Sequence, residues 1–472
     1  MFFGGRCFII IKYALCPSHA VGRANETKRN PEAPIREGKR EHMRVAFYTL
    51  GCKVNQYETN ILQQQFAAAG YDIVAFEEEA DVYVINSCTV TAEGDRKTRQ
   101  MVRRIKRANP AAKAVLTGCF PQAFPDVAHQ LEQADVITGS KDRQGLLGAV
   151  EESLRTGQRV VRIARHEAGE GFEKMSVSQF AQRTRAFIKI EDGCDRYCTY
   201  CIVPTARGPV RSKPLAEITA EARALAQAGH LEMVLAGVNL SSYGRDTGST
   251  LLQAIQAVDA VEGLARVRLG SLEPDLLALP HIEAMGGVAK LCPQFHLSLQ
   301  SGCDATLRRM ARRYDTAYYA SLVQKLRSCF DNPAITTDLM VGFPGETEEE
   351  FAQTMEFVRS IGFAKAHVFP YSPRGGTAAA TMEGQIDKEV KTRRSKQLSQ
   401  LVQQQREAFL AAMVGRTEPV LFENADLPGG WQEGYTPNYT PVRVQEPVPL
   451  QGQIRQVCIT AADGDGCRGV VV

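Results

Sequence analysis

Residues 186–204 read AFIKIEDGCDRYCTYCIVP, an apolar run ending in a loop that carries Cys194, Cys198 and Cys201. AFIKIE has the composition of a buried strand, and the glycine after it marks a turn. Three thiols in eight residues raise a question of ligand count. A closed zinc site takes four donors, usually as two Cys-x-x-Cys pairs or one pair with two histidines. No second Cys-x-x-Cys is present, and none of the eight histidines lies near the loop at finger-like spacing. A closed zinc site would have to recruit a remote ligand, and the incomplete set suggests an open coordination position.

From this loop outward the same alternation continues. EMVLAG, RVRLGS, FHLSLQ, ITTDLMVG and HVFPYS follow as strand-like runs with helical stretches between them. Six β/α units to about residue 410 predict a partial (β/α)6 barrel, whose reactive face is built by loops at the strand carboxyl ends. Upstream, RVAFYTL, DVYVIN, AVLTG and DVITGS alternate with helical stretches at about 56–69, 92–107 and 142–154, which predicts a parallel α/β domain. Cys52, Cys88 and Cys119 each follow one of these runs, and glycine precedes two of them. Ligands gather at that sheet edge in open α/β folds, so three thiols distant in sequence are expected to converge. Beyond residue 411, PVLFE, GYTPNYTPVRVQ and GQIRQVCIT are separated by Gly, Pro and Asp turns and read as a small antiparallel β-barrel. The expected divisions of this α/β chain are 43–165, 180–410 and 411–472, after a segment 1–42.

That segment has the polar, unpatterned character of a disordered or non-native extension, and its apolar stretch is short for a signal peptide. A chain starting at Met43 is expected to fold and work as well as the full one. Cluster content and thermal stability of the truncated protein check this, and a large loss of either counts against it. The segment holds eight Lys/Arg and four Glu, a net of +4 within a chain total of +3, leaving −1 for the remainder. Overall charge thus gives no support to nucleic-acid binding. Thirteen cysteines without a convincing secretion signal point to a reducing, cytoplasmic setting, and no apolar run is long enough to span a bilayer. Locally, DRKTRQMVRRIKRAN crowds Arg96, Lys97, Arg99, Arg103, Arg104, Lys106 and Arg107 onto one helix, a candidate phosphate-contacting face. From Gly415 onward seven acids exceed four arginines, which leaves shape and the aromatics Trp431, Tyr435 and Tyr439 for any RNA contact there. Cys292, Cys303, Cys329, Cys458 and Cys467 match no ligand pattern and read as free thiols.

The Cys-x3-Cys-x2-Cys loop, with Tyr200 before its last cysteine, resembles the signature of radical S-adenosylmethionine enzymes. TLGCKVNQYET, NSCTVT, TGC, SLEPD, HLSLQSGCD, RMARRY, VGFPGETEEEF and YSPRGGT narrow the resemblance to the methylthiotransferases. It implies two [4Fe-4S] clusters, one on Cys194, Cys198 and Cys201 whose open iron takes S-adenosylmethionine, and one on Cys52, Cys88 and Cys119 that carries the sulfur to be transferred. It implies a radical made from one S-adenosylmethionine, a methyl group from another, an external electron donor, a terminal TRAM-like domain, and a monomer acting on a tRNA anticodon loop. Tyr200, Gly237, Asn239, Glu273, Gln300, Gly342, Pro344 and Gly345 match family positions near the cofactor. Around Cys52 the reading Lys53-Val54-Asn55 resembles the branch that methylthiolates N6-threonylcarbamoyladenosine, with these side chains bordering the substrate. Sister branches act on isopentenyl-adenosine in tRNA or on a ribosomal protein, and a non-enzymatic, metal-containing RNA-binding protein is the alternative class.

Overall fold

The structure, a computed structural model, describes residues 43–177 and 184–472. The segment 1–42, read above as an extension, lies outside the described residues. Two compact units divide the chain: Met1–His166 with Thr205–Arg207, and Glu167–Pro204 with Gly208–Val472.

The first unit is built on a six-stranded parallel sheet. Its order is Asp72–Val74, Arg44–Thr49, Val82–Ser87, Lys113–Gly118, Val136–Thr138 and Val160–Arg162. The four expected strands are present. The two edge strands were not expected, because most of their residues are exposed or half-buried and they form no continuous apolar run. Val82–Ser87 is buried along its whole length, and the pleat sends Val82 and Val84 to one face and Tyr83 and Ile85 to the other. Leu62 and Phe66 of the helix Lys53–Ala68 cover the first face, and Val102 and Ile105 of Ala92–Ala108 the second. Each such fully buried side chain contributes roughly 1.5–3 kcal/mol. Ala92–Ala108 starts where Thr91 accepts a hydrogen bond from Gly94 N, and its Glu93/Asp95 and Lys106/Arg107 ends match the helix dipole.

The second unit contains the expected arc of six parallel strands. They are Arg185–Lys189, Glu232–Ala236, Arg266–Leu269 continued by Ser271–Leu272, Gln294–Leu297, Ala334–Val341 and Lys365–Pro370. The third breaks at Gly270: its first half pairs with Glu232–Ala236 and its second half with Gln294–Leu297. Capping boxes at Thr250/Gln253 and Thr347/Glu350 fix two of the intervening helix starts. A helix Lys388–Ala411 then leads into a closed five-stranded barrel. The barrel differs from the purely antiparallel expectation at one seam, where Pro441–Gln445 and Gly466–Val471 run parallel.

This barrel is fastened to the amino ends of the arc strands. Glu232, fully buried, faces Arg268 at 2.7 Å, Arg266 at 3.6 Å and Arg185 at 3.9 Å. Arg185 also pairs with Glu423, and Arg268 donates to Pro437 O at 2.9 Å. Tyr435 and Tyr439 stack at 4.7 Å, with the Arg185 and Arg268 guanidiniums 4.8 and 4.6 Å from the Tyr439 ring. The RNA-contact reading of these two tyrosines is therefore corrected: their faces are used within the chain. Among the described residues no helix is long and apolar enough to cross a membrane.

Candidate metal and cofactor site

In the first unit, Cys52 is the N-cap residue of Lys53–Ala68, Cys88 directly follows Val82–Ser87, and Cys119 opens the helix Cys119–Ala123. Their strands are neighbours in the sheet, so the three thiols meet at one edge. The two preceding glycines have a steric reason. Gly51 and Gly118 have φ of 121° and 97°, and a Cβ would lie 2.8 Å from Cys88 Cβ or 2.5 Å from Asn86 Oδ1. The thiols also sense one another electrostatically. Cys88 is pushed up to about 12 by burial first, then by Cys119 and Cys52. Burial raises Cys119 as well, against the opposing pull of Arg207.

Polar groups that sequence reasoning missed surround this triad. Arg207 is buried and donates from Nε to Cys119 Sγ at 3.3 Å, from Nη1 to Glu58 Oε1 at 2.8 Å and from Nη2 to Asn55 Oδ1 at 2.8 Å. Arg143 Nη2 meets the same Glu58 oxygen at 3.0 Å. Asn55 donates to Leu50 O and Ser87 O, 3.1 and 3.0 Å away. The helix starts at Lys53, three residues before the expected position, so Val54 and Asn55 point into the core. The reading that Lys53, Val54 and Asn55 all border the substrate is corrected: only Lys53 is exposed, and Asn55 supports the thiol edge from beneath.

In the second unit the loop of Cys194, Cys198 and Cys201 follows the short strand Glu191–Asp192. Cys194 N–H donates to Gly208 O at 3.0 Å and Cys201 N–H to Cys198 O at 2.9 Å. Thr199 pins the loop, donating from N to Met310 O at 3.2 Å and from Oγ1 to Arg309 O at 2.9 Å. Cys194 and Cys201 are each pushed up to about 12, by burial first, with Cys201 and Cys198 respectively adding to it. Arg312 Nη1 donates to Cys198 Sγ at 3.4 Å, and Asn239 Nδ2 lies 3.8 Å from Cys194 Sγ.

Both triads fit an iron-sulfur cluster in their donor chemistry: soft thiolates with N–H donors aimed at sulfur. Among the described residues no group of three or more His, Cys, Asp or Glu closes on a single metal ion. The spacing of thiols that hold separate irons of a cubane is wider than that of ligands to one ion.

The remaining candidate residues divide. Asn239 reaches the Cys194 sulfur, and its N–H donates to Glu191 Oε2 at 2.8 Å. Glu191 is fully buried, which raises its carboxyl well above the usual range. Gly237 lies against that carboxylate, where a Cβ would come within 2.6 Å of Oε2. Glu273 pairs with Arg312 at 2.8 Å, so the loop's polar neighbour Arg312, quoted in RMARRY without a role, links Glu273 to Cys198. Tyr200 packs edge-on against Phe343, with centroids 6.4 Å apart, beside Met310, Met340 and Tyr371. Gln300 has φ of 68° and exchanges backbone hydrogen bonds with the strand Ala334–Val341. The turn VGFPGE holds itself: Gly342 N–H donates to Glu346 Oε2 at 2.7 Å, Gly345 N–H to Gly384 O at 2.8 Å, and Pro344 O accepts from Arg309 Nε at 3.1 Å. Those two amides are thereby taken within the protein. On the basic helix, Arg96 and Lys97 pair with Glu93 and Lys106 with Asp135, while Arg103, Arg104 and Arg107 are exposed.

A fold of this kind, with a Cys-x3-Cys-x2-Cys loop after the first strand of a six-stranded parallel arc, defines the radical S-adenosylmethionine class. The profile described as Radical SAM superfamily matches residues 188–358, and that described as Uncharacterized protein family UPF0004 matches 44–139. The chain is 38% identical over 423 residues to the threonylcarbamoyladenosine tRNA methylthiotransferase of Bacillus subtilis, covering 89% of this chain and 94% of that one. The tRNA-2-methylthio-N(6)-dimethylallyladenosine synthase of Maricaulis maris is 31% identical over 90% of this chain and 96% of its own. A radical S-adenosylmethionine methyltransferase from Kitasatospora setae shares the fold at 14% identity and a TM-score of 0.53, over 82% of this chain and 79% of that one. The chain belongs to the radical S-adenosylmethionine methylthiotransferase family and is an enzyme of that family.

Proposed function

We propose that this protein transfers a methylthio group to C2 of N6-threonylcarbamoyladenosine next to the anticodon of tRNA. The observation that carries this reading is the 38% identity with threonylcarbamoyladenosine tRNA methylthiotransferases over nearly their whole length, joined to the TLGCKVNQYET stretch around Cys52. Cys194, Cys198 and Cys201 hold one [4Fe-4S] cluster, at which S-adenosylmethionine binds, and Cys52, Cys88 and Cys119 hold a second. When bound, these groups supply an electron from an external donor for reductive cleavage of the cofactor, and the sulfur for transfer. The chain's residues bind and orient. Arg312 holds the Cys198 sulfur and Glu273 together, and Asn239, fixed by Glu191, lies against Cys194. Tyr200, Met310, Phe343 and Tyr371 form an apolar wall beside the loop that would keep water from a cofactor held there.

Docking of RNA falls to the exposed Arg103, Arg104 and Arg107 on Ala92–Ala108, where guanidiniums can pair with phosphates. An anticodon loop suits the chemistry because its bases can be unstacked and brought to a buried site. The division of labour follows 43–165, 180–410 and 411–472, in a monomer of the cytoplasm.

Mass spectrometry of tRNA nucleosides tests the substrate. Deleting the protein removes 2-methylthio-N6-threonylcarbamoyladenosine, and supplying it again restores it, with the isopentenyl derivative unchanged. An unchanged level rejects the assignment, and a change confined to the isopentenyl derivative rejects it in favour of the sister branch.

A further inference from the structure

Arg207 lies on the helix Val203–Arg207, directly after the Cys194/Cys198/Cys201 loop, yet Thr205–Arg207 group with the first unit. Its anchoring there is extensive. Ser140 Oγ donates to Ala206 O, and the Arg207 guanidinium uses all three of its nitrogens on Cys119, Glu58 and Asn55. Glu58, fully buried, is shared between Arg207 and Arg143. Both guanidiniums meet the Glu58 carboxylate, and that of Arg207 also touches the Cys119 thiol.

A buried ion pair that served only the fold needs no sulfur partner. Here Nε–H is aimed at Cys119 Sγ at 3.3 Å, while the two terminal nitrogens are occupied by Glu58 and Asn55, which fixes the orientation of the fork. An N–H donor to a ligand sulfur and a nearby positive charge both stabilise the more negative, reduced state of a cluster, and so raise its potential. Asn55 Oδ1 accepts from Arg207 Nη2 at 2.8 Å and lies 3.4 Å from Cys52 Sγ as an acceptor, so Arg207 also fixes the residue beside Cys52.

We propose that Arg207 is a positioning residue for the metal centre of the first unit, holding the Cys119 sulfur and setting the potential at which that centre accepts an electron. The inference rests on the reading of Cys52, Cys88 and Cys119 as cluster ligands.

The test uses the full chain with Cys194, Cys198 and Cys201 replaced by alanine, so that one cluster remains and its electron paramagnetic resonance signal is unambiguous. Redox titrations compare this parent with added Arg207→Met and Arg207→Lys, and thermal unfolding is followed in parallel. Glu58 keeps Arg143 at 3.0 Å in either variant, which protects the fold. Arg207→Met is expected to lower the reduced-to-oxidised ratio at a fixed potential about tenfold, a shift of about 59 mV for one electron. Arg207→Lys keeps the charge opposite Glu58 but not the Nε–H donor, and is expected to shift the ratio the same way by roughly threefold. Should the Met variant not fold, the Lys variant decides. Identical potentials in the parent and the folded variants overturn the role of Arg207 alone. A parent without any cluster overturns the ligand assignment and the inference with it.

Discussion

Replacing Cys194, Cys198 and Cys201 with alanine is expected to abolish cleavage of S-adenosylmethionine, whereas replacing Cys52, Cys88 and Cys119 leaves that cleavage and abolishes methylthio transfer. Alanine supplies no donor, so each triple replacement deletes all protein ligands of one proposed cluster. The two triads belong to different compact units, each with its own sheet and its own core, so loss of one leaves the other's scaffold standing. Iron and sulfide analysis after anaerobic reconstitution gives about eight irons for the full chain and about four for either variant. Release of 5′-deoxyadenosine and of methylthiolated nucleoside are measured separately. Sulfur still installed by the Cys52/Cys88/Cys119 variant sinks the two-cluster assignment, and zinc without sulfide in the unmodified protein sinks the radical reading altogether.

Glu232→Gln is expected to cost roughly 3–5 kcal/mol of stability, among the largest effects available to one isosteric change. It leaves Arg185, Arg266 and Arg268 gathered in a buried site without the carboxylate they share. Burial alone would raise the Glu232 carboxyl, but Arg268 above all, with Arg185 and Arg266, holds it at about 2 against an ordinary 4.5. A depressed carboxyl stabilises the fold fully above its unfolded value and loses that contribution as pH falls from there through about 2. The difference in unfolding free energy between the native protein and the Gln variant therefore narrows below about pH 4.5 and is constant near neutrality. Denaturant unfolding at several pH values measures it. A variant as stable as the native chain at pH 7 shows that the network contributes little to holding the terminal barrel.

Much of this was legible from local pattern. Period-two and continuous apolar runs located ten strands, four in the first unit's sheet and six in the second unit's arc, because a strand buried between helices must be apolar along its length. The cysteine placements followed from the same pattern, since a residue just past a parallel strand lies at the edge where such sheets converge. Three-residue edge strands escaped it, as did the helix start at Lys53, where Cys52 caps without the usual Ser, Thr, Asp or Asn signal. That early start is what turned Asn55 from a presumed substrate neighbour into a buried support.

The sequence by itself located ten parallel strands and the two thiol triads at strand ends, and its motifs carried the resemblance to the family. Tertiary structure alone decided which polar groups attend the sulfurs. Arg207 and Glu58 are 149 residues apart, Arg312 and Cys198 are 114 apart, and no local periodicity couples such pairs. It also decided that Tyr435 and Tyr439 stack with arginines at the base of the arc. An aromatic ring and a guanidinium are equally suited to RNA or to each other, and only folding, which brings them within 5 Å, selects between the two.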